Sequence, residues 1–294
     1  MYVSALIVLT LGLMCLNDLF NRYLIFSTKS TNSYKMYRMF RDYPKGEIPI
    51  IGSSRAETGF VPREISANAF NYGMSGSIFR ESVLHLRQVL TRDDCRLVIL
   101  NLEPWGLPDN GFTGDYRFVA EERLVEEERA RIVIPLTNRI PGIRFHGQIR
   151  KNLAAFLNNR LAMTKTMEAG AALLRLHRSE TEWKYILANL EVGKFVEDAE
   201  TKKRLERTLL NNDKAEIVFV ISPVADVWWK SFIDKEKTVA LVKWLRGFKH
   251  VHVFDDISDG YTLYEFADPT HLNENGARKF SKALGKRLVE NGIL

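Results

Sequence analysis

The first strong pattern along the chain is an uninterrupted apolar run. Residues Tyr2 to Leu16 read YVSALIVLTLGLMCL without a charge. A spanning helix needs roughly 17–25 residues, and Asn17 to Phe26 extends the run with one Asp and one Arg near the interface. No small-x-small cleavage site follows, which favours an uncleaved anchor over a removed signal peptide. Residues 27–46 turn polar and aromatic and read as a linker. From residue 47 the pattern changes to short apolar runs alternating with helical spacing. EIPII at Glu47 to Ile51, Ala67 to Tyr72, RLVILNL at Arg96 to Leu102, AEIVFVI at Ala215 to Ile221 and His250 to Phe254 read as buried strands. Ser75 to Leu90, Thr238 to Phe248 and a closing stretch from Asn273 to Leu288, capped by Asn273, read as helices. Val- and Ile-rich strands that alternate with helices and lack surface alternation predict a parallel sheet covered on both faces.

Between the third and fourth strands, about 105–212, the pattern is helical. Glu121 to Arg131 is dense in Glu and Arg, Lys151 to Leu176 is rich in Ala and Leu, and Thr181 to Leu190 and Glu197 to Leu210 continue at helical spacing. This stretch reads as one helical insertion, a candidate lid or a packing subdomain. The expected organisation is therefore an anchor at 1–26, a linker at 27–46 and an α/β domain at 47–294.

Composition changes this picture little. The 294 residues are 46% hydrophobic and 27% charged, which is globular composition. The net charge of +6 is small beside 42 basic and 36 acidic residues and fits a mixed solvated surface. No recognition helix, zinc-finger spacing or aromatic-basic interleaving is present, so nucleic acid is not expected as a partner. Cys15 and Cys95 make no disulfide framework and no zinc spacing, and Cys95 reads as a small packing residue. His85, His146 and His177 read as surface residues; His250 and His252 flank a strand.

Three short segments carry candidate chemistry. Gly52-Ser53-Ser54-Arg55 follows a buried strand, at the carboxyl edge where open α/β sheets bind ligands. A serine there needs a base within hydrogen-bond reach to act as a nucleophile. Asp268-Pro269-Thr270-His271 supplies a carboxylate and an imidazole three residues apart. The carboxylate can take one ring N–H and leave the other nitrogen as acceptor, the tautomer a general base needs. Asn71-Tyr72-Gly73-Met74-Ser75-Gly76 is a post-strand loop whose glycines permit close backbone approach, and an N–H from it can join that of Ser54 around an oxyanion. Ser222-Pro223, Asp226, Trp228 and Trp229 follow the fourth strand at the same edge. The tryptophans suit stacking on a sugar or packing within the insertion.

The order strand-GSS, strand-NYGMSG-helix, strand and late DxxH before a closing helix resembles the SGNH (GDSL-like) hydrolase superfamily, over about Pro49 to Leu102 and Ala215 to Leu288. The resemblance implies a three-layer sandwich with a mostly parallel, flavodoxin-like sheet. It implies Ser54 as nucleophile, with Ser53 where Asp is usual, and Asp268 and His271 as acid and base. Gly76 matches the oxyanion glycine. Asn101, in Leu100-Asn101-Leu102-Glu103-Pro104-Trp105, stands where the family has Gly-Asn-Asp. Arg55, Glu103 and Trp105 fall near the site by topology, and Arg55, Trp105 and Asn101 are expected, with Gly76, to meet the oxyanion or the substrate. Neither a metal nor a cofactor is implied. GSSR with an N-terminal anchor resembles the subgroup that acylates cell-surface polymers, such as teichoic acid D-alanylation proteins and polysaccharide O-acetyltransferases. The expectation is a serine esterase or O-acyltransferase, its acyl group acetyl, its partners an acyl donor, a carbohydrate acceptor, the membrane and a multispanning acyltransferase. Other readings are an inactive glycan-binding or assembly subunit, and a membrane-held lipase or thioesterase. The resemblance places the body in the periplasm or outside the cell, behind a single-pass anchor in the cytoplasmic membrane. The basic residues Arg22, Lys29, Lys35, Arg38 and Arg41 point the other way by the positive-inside rule.

Overall fold

The computed structural model describes residues 2–28, 31–107, 149–161, 165–190, 193–255 and 260–294. In chain order its helices are α1 Tyr2–Ser27, α2 Asn32–Arg41, α3 Ser54–Gly59, α4 Pro62–Ile65, α5 Phe79–Leu90, α6 Ile149–Leu161, α7 Glu180–Ala188, α8 Ala199–Leu210, α9 Asp226–Ser231, α10 Lys235–Leu245 and α11 Glu274–Glu290. The main sheet has strands β1 Ile48–Ile51, β2 Ala69–Asn71, β3 Leu97–Asn101, β4 Glu216–Val220 and β5 Val251–Phe254. The chain divides into two units: α1, α2 and α6 belong to one, and the sheet with the remaining helices to the other.

In the first unit α1 runs 26 residues, roughly 39 Å at 1.5 Å per residue, long and apolar enough to cross a membrane as anchors and signal sequences are. Its first two-thirds expose Val3, Leu6, Val8, Leu13 and Leu16. Nearer its end Asn21 and Asp18 are buried. The Asn21 amide donates to the Asn17 carbonyl at 2.8 Å and its oxygen accepts from Asn152 of α6 at 2.7 Å, so a polar seam joins the two helices. The segment expected as a linker contains α2. Thr31 caps it, its hydroxyl accepting from the Tyr34 N–H at 3.2 Å, and Phe26 meets Tyr37 edge-on at 4.8 Å. Capping and an aromatic face outweigh the polar composition from which a linker was read.

In the second unit five parallel strands lie in the order β2-β1-β3-β4-β5, with Ile50 beside Ile99 and Leu97 beside Glu216. Side chains alternate across a strand. Ile50, Ile99, Val218 and Val220 enter one core with Ala56, Phe60, Ala277, Phe280 and Leu284 from α3 and α11. Val98, Leu100, Ile217 and Phe219 point to the other face and are equally buried, on the side where α5 and α8 pack together. This is the three-layer α/β sandwich expected from the sequence. Truncating a side chain such as Ile99 to Ala would cost ~2–5 kcal/mol. The closing helix starts where expected: the Asn273 side chain accepts from the Gly276 N–H at 3.1 Å. Ser281 of this helix accepts from the Val61 N–H at 2.8 Å, and Phe280 meets Phe60 edge-on at 5.1 Å, fastening α11 to the turn after α3.

The stretch between β3 and β4 is more mixed than a helical insertion. Lys151 to Leu176, expected as helix, becomes α6 followed by an antiparallel hairpin of Lys165–Glu168 and Ala171–Leu174. The hairpin turns on Ala169 and Gly170, both at positive φ (43° and 89°), as two-residue hairpin turns require. Residues α7 and α8 were legible, each with a capping side chain, Ser179 and Asp198. The α8 helix packs on α5 within a layer of the sandwich. The expected helix at Glu121 to Arg131 and His146 lie outside the described residues.

Candidate active site

Strand β1 ends at Ile51, and Gly52 and Ser53 turn the chain into α3, whose first residue is Ser54. Gly52 is demanded by close approach: a Cβ there would stand 2.7 Å from the Ala56 Cβ and 2.9 Å from that of Asn101. Ser53 caps α3, its hydroxyl oxygen accepting from the Arg55 N–H at 3.3 Å, while its own O–H donates to the Glu103 carboxylate. The turn thus leaves Ser53 occupied and presents Ser54.

Ser54 Oγ stands 2.8 Å from His271 Nε2. On the other side of the ring, Nδ1 lies 2.9 Å and 3.0 Å from the two Asp268 oxygens. With Nδ1–H donating to the carboxylate, Nε2 is left to accept the Ser54 hydroxyl proton. Asp268 and His271 face each other across a small antiparallel ladder of Phe266–Asp268 and His271–Leu272. The turn between them is held by the same carboxylate, which accepts from the N–H groups of Thr270 (2.9 Å) and His271 (3.0 Å) and from the Thr270 hydroxyl (3.1 Å). Burial alone would raise the pKa of Asp268. The His271 hydrogen bond and charge, with the Thr270 N–H and hydroxyl, outweigh it and bring it down to about 2.

The loop after β2 is bound to α3. The Asn71 amide donates to the carbonyls of Ala56 (2.7 Å) and Phe60 (2.9 Å), and its oxygen accepts from the Gly73 N–H at 2.8 Å. Gly73 has no room for a side chain, since a Cβ would stand 2.4 Å from the Glu57 nitrogen. The Ser75 N–H and hydroxyl both donate to the Glu57 carboxylate. Gly76 follows in an exposed turn at φ 83° with open space around its α-carbon.

Two residues expected to meet substrate are instead interior supports. Arg55 is 2% exposed. Its Nε donates to the Thr270 carbonyl at 3.0 Å, Nη1 to Glu103 at 3.1 Å, and Nη2 to the carbonyls of Ser222 and Pro223. Burial pulls its pKa below the ordinary value, with the Glu103 charge opposing. Asn101 is 1% exposed, and its amide is engaged at both ends: it donates to Glu103 at 3.0 Å and accepts from the Ser222 hydroxyl at 3.0 Å. Polar groups this deep are satisfied internally. Trp105 is half-buried, with the Arg55 guanidinium 5.3 Å from its ring centre and Trp228 edge-on at 5.7 Å. Trp229 stacks on Phe232 at 5.4 Å, and Trp228 is buried in the same cluster, so the aromatic pair packs.

Sequence reasoning left Glu103 without a role and passed over Asn71, Glu57 and Thr270. The one signal for Glu103 was its place two residues beyond β3, at the carboxyl edge. Among the histidines, His177 is exposed as expected. His85 is not a surface residue: it is buried, and desolvation lowers its pKa to about 4 against the pull of Glu81. Cys95 packs in the interior, and burial raises its thiol to about 11.

No family model matches the chain, and no curated protein matches it. Among solved structures the chain is similar to one described as "a putative platelet activating factor from Streptococcus pneumonia". The identity is 13%, over 93% of this chain and 96% of that one, with a TM-score of 0.41. The functional reading therefore rests on the geometry of the site.

Proposed function

We propose that the chain is a serine-dependent ester hydrolase or O-acyltransferase of the SGNH kind. The observation that supports this most is the unbroken hydrogen-bond line from Ser54 through His271 to Asp268. In this reading His271 Nε2 takes the Ser54 proton as Oγ attacks an ester carbonyl. Asp268 holds the ring and stabilises the imidazolium. The N–H groups of Ser54 and Gly76 receive the tetrahedral oxyanion. His271 then protonates the leaving alcohol, and water or a sugar hydroxyl resolves the acyl-serine with the proton returning to His271. Asn101 and Arg55 have no direct part, so the oxyanion depends on backbone donors. The intact line argues against the inactive-subunit reading.

Transfer of acetyl to a cell-surface carbohydrate, beside a multispanning acyltransferase, is the finer form of the proposal. Its supports are the GSSR resemblance and the long apolar α1. In this form α1 is an N-in anchor and the sheet unit faces the periplasm or the outer surface. A membrane-held lipase or thioesterase would use the same triad.

The primary test is a fluorophosphonate probe followed by peptide mapping. We expect modification of Ser54, lost in Ser54→Ala and retained in Ser53→Ala; a label on Ser53 would overturn the assignment. Orientation is tested separately by reporters fused after Leu294. Alkaline phosphatase should be active there and green fluorescent protein dark, and the reverse pattern would remove the surface-carbohydrate substrate.

A further inference from the structure

Ser54 and His271 lie 217 positions apart in the chain yet meet within 2.8 Å. Each is followed or preceded by a residue that bonds across the same gap: Arg55, next after Ser54, donates from Nε to the carbonyl of Thr270, next before His271. The same guanidinium reaches Glu103 beyond β3 and the Ser222 and Pro223 carbonyls beyond β4. One buried side chain in the first turn of α3 therefore touches three other segments at the carboxyl edge of the sheet. Glu103 completes the brace: one oxygen accepts from Arg55 Nη1, and the other accepts from Ser53 and Asn101. The Ser222 hydroxyl returns to Asn101, and the Ala225 N–H binds the Pro269 carbonyl at 2.8 Å.

We propose that Arg55 and Glu103 are a positioning pair for the reaction, fixing the Ser54 turn against the His271 loop so that Oγ and Nε2 are held in register. The inference rests on the esterase reading above and adds to it two residues that touch no substrate. A buried ion pair of this kind is weak evidence for stability, because desolvating two charges offsets most of their attraction. What it supplies is geometry: a planar fork bonded in several directions at once, which a lysine ammonium on a flexible stem does not reproduce. Misplacement of a reacting pair by about 1 Å costs on the order of 100-fold in rate.

The test compares Arg55→Lys with the neutral double variant Arg55→Met/Glu103→Gln in the full chain in detergent. Turnover of p-nitrophenyl acetate is normalised to the fraction of Ser54 that fluorophosphonate titrates. Arg55→Lys should lose about 100-fold in kcat per active site with KM within about twofold. The double variant removes both buried charges and should recover thermal stability towards wild type while its kcat stays low. A kcat for Arg55→Lys within about threefold of wild type, or a double variant whose turnover returns with its stability, would show the pair to be packing alone and overturn the proposal. Wild type that takes no probe sinks the esterase reading instead. The pair is then judged by the ¹⁵N shift of His271 Nε2, which reports the Ser54 hydrogen bond without turnover. A shift moved by Arg55→Lys supports positioning, and an unmoved one overturns it.

Discussion

The sheet carries a carboxylate–histidine arrangement at each of its two edges, and only one of them faces a serine. At the carboxyl edge Asp268 holds His271 at 2.9 Å. At the amino edge Glu216, the first residue of β4, holds two imidazoles: His250 Nδ1 at 2.9 Å and His252 Nε2 at 2.7 Å. Both carboxylates sit below their ordinary pKa. For each, burial works in the opposite direction and is outweighed by hydrogen bonds, from His271 and Thr270 in one case and from His250 and His252 in the other. What separates the edges is the far nitrogen of the ring. His271 Nε2 meets a serine hydroxyl, whereas the buried His250 Nε2 has no hydrogen-bond partner among the described residues. An oriented imidazole becomes a candidate base only when something stands ready to give it a proton.

The comparison breaks most sharply under mutation of its serine and histidines. Ser54→Ala or His271→Gln should reduce ester turnover by roughly 10⁴–10⁶, while His252→Gln should stay within about twofold of wild type. Steady-state assays on the three variants decide this, and equal losses at both edges would erase the distinction. Asp268→Asn should follow with a loss of order 10²–10⁴, because an amide presents the ring with the wrong partner for the required tautomer.

Acid titration sharpens the contrast further. Asp268 has a folded pKa of about 2 against an ordinary 3.8. Because it is depressed, its contribution to stability is complete above the ordinary value and is lost as pH falls from there through the folded one. Urea midpoints measured from pH 5 down to pH 2 should therefore drop more steeply for wild type than for Asp268→Asn. Parallel curves would show that the carboxylate is not held as described. The smallest effect belongs to Glu216→Gln. Its side chain is over one-third exposed, so water screens the pair, and the variant should lose under about 1 kcal/mol with unchanged turnover.

Much of this was legible because the signals are local. Buried apolar runs mark the strands, Gly52 marks the tight turn, Asn273 marks the cap, and Asp268 and His271 are close enough in the chain to be read as a pair. What escaped depends on partners far away in sequence. Arg55 reads as a residue facing substrate, because nothing local shows that Glu103, 48 positions on, and Ser222, 167 positions on, enclose it. Asn101 reads as an oxyanion donor until Glu103 and Ser222 claim its amide. Lys151 to Leu176 reads as helix from its Ala and Leu content, because the only mark of the hairpin is Ala169-Gly170. His85 reads as exposed because it sits in a polar helical stretch, leaving a buried imidazole unanticipated.

The fastening of α11 to the turn after α3 also has a consequence in time. The Ser54 turn is among the first parts of the sheet unit to be synthesised and the Asp268–His271 turn among the last. At ribosomal speeds of roughly 5–20 residues per second, the 217 positions between them correspond to about 10–40 s. Throughout that interval Ser54 has no imidazole to accept its proton. The final helix, through Phe280 against Phe60 and Ser281 against Val61, draws the last turn onto the first. A nascent or prematurely terminated chain thus lacks the complete Ser54–His271–Asp268 line, which closes only when the C-terminal segment is present.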